Sequence, residues 1–161
     1  MEKFNLSSVL GRRADGTAIV TGSGNYPCIK GTVRFYQLCK GVLVKAEFDG
    51  LPLGNDACSA PVFAFHIHEG TECSGNRDDM FADAKGHYNP CNCPHPYHAG
   101  DMPPLFGVNG GAFLVFVTDR FTVEEIMGRT VIVHRMGDDF HTQPSGNAGE
   151  KIACGVIQRI C

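Results

Sequence analysis

Short runs in which apolar and polar side chains alternate recur along the chain, and a period of two predicts β-strands. They are Thr17–Thr21, Gly31–Gln37, Gly41–Phe48, Val62–His68, Ala112–Thr118, Thr130–His134 and Ile152–Ile157. Val, Ile, Phe and Thr dominate these runs, and such side chains suit a pleated, half-buried surface. Gly, Pro, Asn or Asp punctuates most of the gaps, as turns between short strands require. This spacing predicts an all-β fold, a Greek-key sandwich or barrel of immunoglobulin-like kind. The single helical signal is Thr122 ahead of Val123–Met127, with Glu125 three residues on. That capping-box pattern predicts a turn or two of helix.

The stretch from Glu69 to Gly111 breaks the rhythm: it is polar, rich in proline and rich in histidine. A loop of that length loses much conformational entropy on folding unless something ties it down, and a metal ion would do so. Elsewhere there is no composition break, repeat or low-complexity tract. One domain spanning residues 1–161, large enough to bury its own core, is the expectation.

Charge and cysteine usage narrow the function classes. Lys and Arg number 14 against 17 Asp and Glu, for a formal net charge of −3. That balance argues against a nucleic-acid or polybasic membrane partner. No run approaches the ~20 apolar residues of a membrane span, and the first sixteen residues have neither the apolar core nor the cleavage pattern of a leader. The expected compartment is the cytoplasm, with a periplasmic or secreted location following if a leader had been removed. The eight cysteines are not arranged in paired CxxC spacing, so they are not read as a disulfide framework.

Six of the seven histidines fall in or beside metal-ligand spacings. In Phe65-His66-Ile67-His68-Glu69, positions i and i+2 of a strand share a face, so His66 and His68 can aim at one ion. Alone, such a pair is equally a pair of packed core side chains. His87, His95, His98 and Asp101 offer three imidazoles and a carboxylate, a donor set suited to tetrahedral zinc. A solvated polar loop is the alternative. His134 closes the apolar run Val131-Ile132-Val133 and, taken singly, reads as a packed strand end. His141 follows a loop and reads as a surface residue. The combination is far more specific than its parts.

With these residues in view, the chain resembles the copper/zinc superoxide dismutase family, and its bacterial branch more than its animal one. The matching stretches are FHIHEGTEC (65–73), GHYNP (86–90), HAGDMPPL (98–105), GRTVIVHRMGDD (128–139) and GNAGEKIACGVI (146–157). The resemblance implies a copper site of His66, His68, His87 and His134. It also implies a zinc site of His87, His95, His98 and Asp101, with His87 shared. Asp138 stands where the family has an outer aspartate linking ligands of both metals. Cys73 and Cys154 stand at the positions of the family's intrachain disulfide. The implied reaction is dismutation of superoxide to dioxygen and hydrogen peroxide, with His87 as proton carrier. A homodimer is a further implied arrangement.

Three departures from the family pattern stand out. The interval from His95 to His98 is short, and so is the loop between Asp139 and Gly146, where relatives carry charges that steer the substrate. Lys151 replaces the arginine that the family sets beside copper, which keeps the charge but loses the planar fork. A reduced activity is the expectation, and a solvent-exposed lysine the bland alternative. Cys91 and Cys93 form a CxC pair that the family does not require, either a soft-metal site or two incidental thiols. Cys28, Cys39, Cys58 and Cys161 carry no pattern. The alternative function is a zinc-only or copper-holding protein with little dismutase activity.

Overall fold

The computed structural model describes residues 5–56 and 61–159; Cys58 and Cys161 lie outside them. The alternating runs become β1 (Gly16–Gly22), β2 (Lys30–Gln37), β3 (Val42–Asp49), β4 (Val62–Phe63) and β5 (Phe65–His68). They continue as β6 (Leu105–Phe106), β7 (Ala112–Thr118), β8 (Thr130–His134) and β9 (Lys151–Gln158). The expected helix forms as α2 (Val123–Ile126), with both hydrogen bonds of the Thr122–Glu125 capping box in place.

Two elements differ from the sequence reading. Val62–His68, expected as one strand, is two. Ala64 breaks it: its N–H donates to the Met136 carbonyl, and its own carbonyl accepts from the His134 N–H. The chain thereby leaves the two-stranded β4–β6 sheet and enters the main one. All four residues of β5 are buried, so alternation could not mark this corner. The other difference is α1 (Leu6–Leu10), whose Asn5 side chain accepts from the Ser8 N–H. That N-cap was present in the sequence but precedes too short an apolar run to announce a helix.

The main sheet has seven antiparallel strands in the order β5-β8-β9-β1-β2-β3-β7. The chain crosses from β3 to β5, back to β7 and over again to β8, which are Greek-key connections. The sheet curls strongly, because Phe48 of β3 and Phe65 of β5 meet edge to face at 5.9 Å although four strands separate them. Inside the curl lie Val20, Val33, Phe35, Val44, Ile67, Val131, Val133 and Ile157, all buried.

The opposite face of β8 and β9 carries a second, smaller cluster. Ile132 and Cys154 pack there against Phe81 and Ala84 of the long loop. Cys73 and Cys154 are disulfide-bonded across 81 residues of sequence. The loop is therefore fastened over the outer face of this part of the sheet. The histidines lie beneath it.

Candidate metal centre

Register explains how the first histidines meet. Phe65 and Ile67 pair with Val133 and Val131 and face the core, so His66 and His68, paired with Ile132 and Thr130, face the loop. A bulge between Val133 and His134 closes β8. The ring of His134 then lies 5.3 Å from that of His68 and 5.1 Å from that of His66, centroid to centroid.

The loop reaches the same place by pairing with the free edge of β5. The Ile67 N–H donates to Gly100, the Tyr88 N–H to Ile67 and the Glu69 N–H to Gly86. His87 comes opposite His68, and Asp101 opposite His66. One donor atom from each of His66, His68, His87 and His134 falls within 4.8 Å of the others. The same holds for His87, His95, His98 and Asp101. His87 belongs to both groups, so the two sets implied by resemblance converge in space as two clusters joined at one ring.

The outer nitrogens are spoken for. His68 Nδ1 lies 2.8 Å from the Lys85 carbonyl and His134 Nδ1 lies 3.1 Å from the Gly149 carbonyl. A carbonyl only accepts, so both Nδ1 atoms carry the proton and both Nε2 atoms present lone pairs. Asp138 sets the other two: His66 Nε2 and His95 Nε2 each donate to one of its oxygens at 2.8 Å. One carboxylate thus spans a member of each cluster. Such partners fix tautomer and ring orientation. Space for this bridge depends on Gly146 (φ +68°), where a Cβ would stand 2.0 Å from Asp138 Oδ1 and 2.7 Å from His95 Nε2.

The inner atoms fit cations. His68 Nε2 and His134 Nε2 stand 3.2 Å apart, lone pair to lone pair. His66 Nδ1, His87 Nε2 and His95 Nδ1 are buried without a hydrogen bond. Protons are a poor remedy: burial pushes His66 down to about 4 and His134 down to about 3, and it holds His68 well below its ordinary value. Burial also lowers His98. For Asp101 burial favours the neutral acid, but the hydrogen bond from His87 at 2.7 Å and the attraction of His87, His66 and His98 together outweigh it and hold the group below its ordinary value. Asp138 is held below the usual carboxylate range: burial opposes this, and bonds from His66, the Phe140 N–H and His95 prevail. Neutral imidazoles and an ionised carboxylate suit both copper and zinc.

The remaining sequence candidates separate. Cys73 and Cys154 are bonded to each other outside the clusters. Cys91 is exposed and Cys93 half-buried, and among the described residues neither joins a donor cluster. His141 is an exposed loop residue bound to Asp139, as expected. Lys151 lines the cavity of about 640 Å³ that opens on His68, His87 and His134. It is not solvent-exposed: its ammonium donates to Asp79 and to the Phe81 carbonyl.

Sequence reasoning missed the supports. Arg120 donates to the carbonyls of Pro96, His98 and Asp101 at 2.9–3.3 Å, bracing the loop that carries all four of the second cluster's donors. Gln143 holds the backbone of His95 on both sides, accepting from its N–H and donating to its carbonyl. Neither residue lies in a ligand spacing. The Lys85 and Gly149 carbonyls have no side-chain signature at all.

Comparison with known proteins agrees with this geometry. Residues 29–157 match the family described as copper/zinc superoxide dismutase (SODC). Superoxide dismutase (Cu-Zn) 2 of Aquifex aeolicus is 34% identical over 143 residues, covering 80% of this chain and 78% of its own length. The superoxide dismutase (Cu-Zn) of Legionella pneumophila is 34% identical over 152 residues, covering 89% and 87%. Among solved structures, the Cu/Zn superoxide dismutase from Brucella abortus matches with a TM-score of 0.73 at 28% identity, covering 87% of this chain and 97% of that one. Two histidine clusters sharing one ring, on a curled Greek-key sheet, thus accompany similarity along most of the sequence, and the chain belongs to the copper/zinc superoxide dismutase family.

Proposed function

We propose that the protein dismutates superoxide, with His66 Nδ1, His68 Nε2, His87 Nε2 and His134 Nε2 holding copper. His87 Nδ1, His95 Nδ1, His98 Nδ1 and an Asp101 oxygen hold zinc. The observation that carries this reading is the shared His87, a member of both donor clusters, with Nδ1 against Asp101 and Nε2 buried without a hydrogen bond. When bound, copper supplies one-electron redox chemistry, and zinc a fixed charge without redox chemistry of its own.

The residues do the rest. Two superoxide anions and two protons give dioxygen and hydrogen peroxide, so the site must deliver protons as well as electrons. His87 Nε2 is buried without a hydrogen-bond partner, which leaves it free to serve the copper cluster. It takes up a proton there and releases it toward the departing peroxide. Asp101 and the zinc-side donors keep the ring from turning. Asp138 ties His66 to His95, so displacement on one side is felt on the other. Lys151, opposite His134 in the β8–β9 ladder, supplies a cation on the wall of the cavity that opens on His68, His87 and His134.

Elemental analysis joined to a superoxide assay tests this. One copper and one zinc per chain with turnover is the expected result; zinc alone, or both metals without turnover, overturns it.

Partners and place follow the same reading. We propose a homodimer, supported by the exposed apolar side chains Phe106, Val108 and Phe113 on and beside β6 and β7. A cytoplasmic location is supported by four unpaired thiols among the described residues, Cys28, Cys39, Cys91 and Cys93. No helix among the described residues is long and apolar enough to cross a membrane. One domain over residues 1–161 is supported by a core drawing on strands from both ends of the chain.

A further inference from the structure

Lys151 has a partner that changes what it can do. Its side chain is only 14% exposed, and Nζ donates to Asp79 Oδ2 at 2.6 Å and to the Phe81 carbonyl at 3.2 Å. Asp79 belongs to the loop that the Cys73–Cys154 bond fastens to β9, where Cys154 lies three residues beyond Lys151. The carboxylate is thus delivered to the ammonium by a covalently anchored segment. Both groups line the cavity that opens on His68, His87 and His134.

An ammonium and a carboxylate in contact present a dipole, and beyond a few ångströms their potentials largely cancel. The rest of the wall does not make up the difference. Arg77 and Lys85 are offset by Asp78 and Glu150, so with Lys151 and Asp79 the charged side chains of the wall number three cations and three carboxylates and add no net charge to that of the metals proposed beneath. A cleft focuses an anion only when one sign is in excess. Removing Asp79 would leave an excess of one cation, and the Phe81 carbonyl would still hold the ammonium in place.

We propose that Asp79 masks Lys151 and so sets the affinity of this cleft for small monovalent anions, superoxide among them. Asp79 acts through the lysine and touches neither metal donors nor substrate. The proposal rests on the dismutase reading above, but it concerns anion recruitment and can fail separately.

The test compares wild type, Asp79→Asn, Asp79→Glu, Lys151→Gln and the Asp79→Asn/Lys151→Gln double variant, each loaded with copper and zinc and checked by thermal melting. Azide affinity is measured by optical titration, alongside superoxide turnover over a range of salt. Asp79→Asn is expected to bind azide and turn over superoxide roughly three- to tenfold better, with a steeper loss of rate on adding salt. Asp79→Glu should stay at the wild-type values, and the gain should vanish in the Lys151→Gln background. Unchanged or weaker azide binding in Asp79→Asn, or a gain that persists without Lys151, overturns the masking. If azide binding rises as expected while no variant turns over superoxide, the masking stands and the dismutase reading falls.

Discussion

The two donor clusters are built by different means. His66, His68 and His134 stand on β5 and β8, where ladder register aims them before any ion arrives. His95, His98 and Asp101 stand on a loop between β5 and β6, with no ladder of their own. The strand-built cluster inherits its geometry from the core beneath it. The loop-built cluster borrows its geometry from cross-braces: Arg120, Gln143, the Asp138 bridge and pairing with the edge of β5. A metal ion bound in the loop is thus partly a folding ligand, whereas one bound between strands meets a site that is already made.

The comparison can be broken at its one common point. His87→Ala removes a donor from each cluster and the proposed proton carrier at once. Superoxide turnover should fall roughly 10²-fold or more, and zinc content should fall with it. A variant that kept both metals and turned over normally would show that the clusters are independent.

Next in size is the fastening of the loop. Replacing Cys73 and Cys154 by serine opens a covalent loop of 81 residues, and a chain-entropy account puts the loss at about 4.5 kcal/mol. Denaturant melts should show it. The loop-built cluster should lose zinc well before the strand-built cluster loses copper.

Acid attacks the strand-built cluster through its burial. His66 and His134 sit at about 4 and about 3 in the folded chain against 6.5 for an ordinary histidine. The unfolded chain therefore binds more protons between those values. Stability of the metal-free protein should be full above pH 6.5 and fall steadily as pH drops toward 4. A melting temperature flat across that window would contradict the buried, neutral state of these rings.

The smallest expected effect is the most discriminating. Gln143→Ala removes two hydrogen bonds from the His95 backbone and nothing from β5 or β8. Zinc affinity should weaken about tenfold, in the range for lost outer partners, while copper affinity stays put. An equal loss of both would erase the distinction between the two ways of building a site.

Much of this was legible along the chain because its signals are local. Strand periodicity marked β1, β2, β3, β7, β8 and β9, and the Thr122–Glu125 box marked α2. The HxH pair and the histidine-dense loop named the donors, since ligand chemistry depends on residue type. What failed was also local in cause. The corner at Ala64 lies inside a run buried on both faces, so alternation is silent there. Lys151 offered its charge to the reader but not its partner, because Asp79 lies 72 residues away.

By itself, the sequence determined the strand rhythm, the donor types and, through the ordered motifs, the family. The resemblance implied a shared His87 and a linking Asp138; only the tertiary structure decided that the Lys85 and Gly149 carbonyls orient His68 and His134, that Arg120 and Gln143 brace the loop and that Asp79 covers Lys151. Those are contacts between segments far apart in the chain, and their energies depend on distance and burial, which a linear order of residues does not contain.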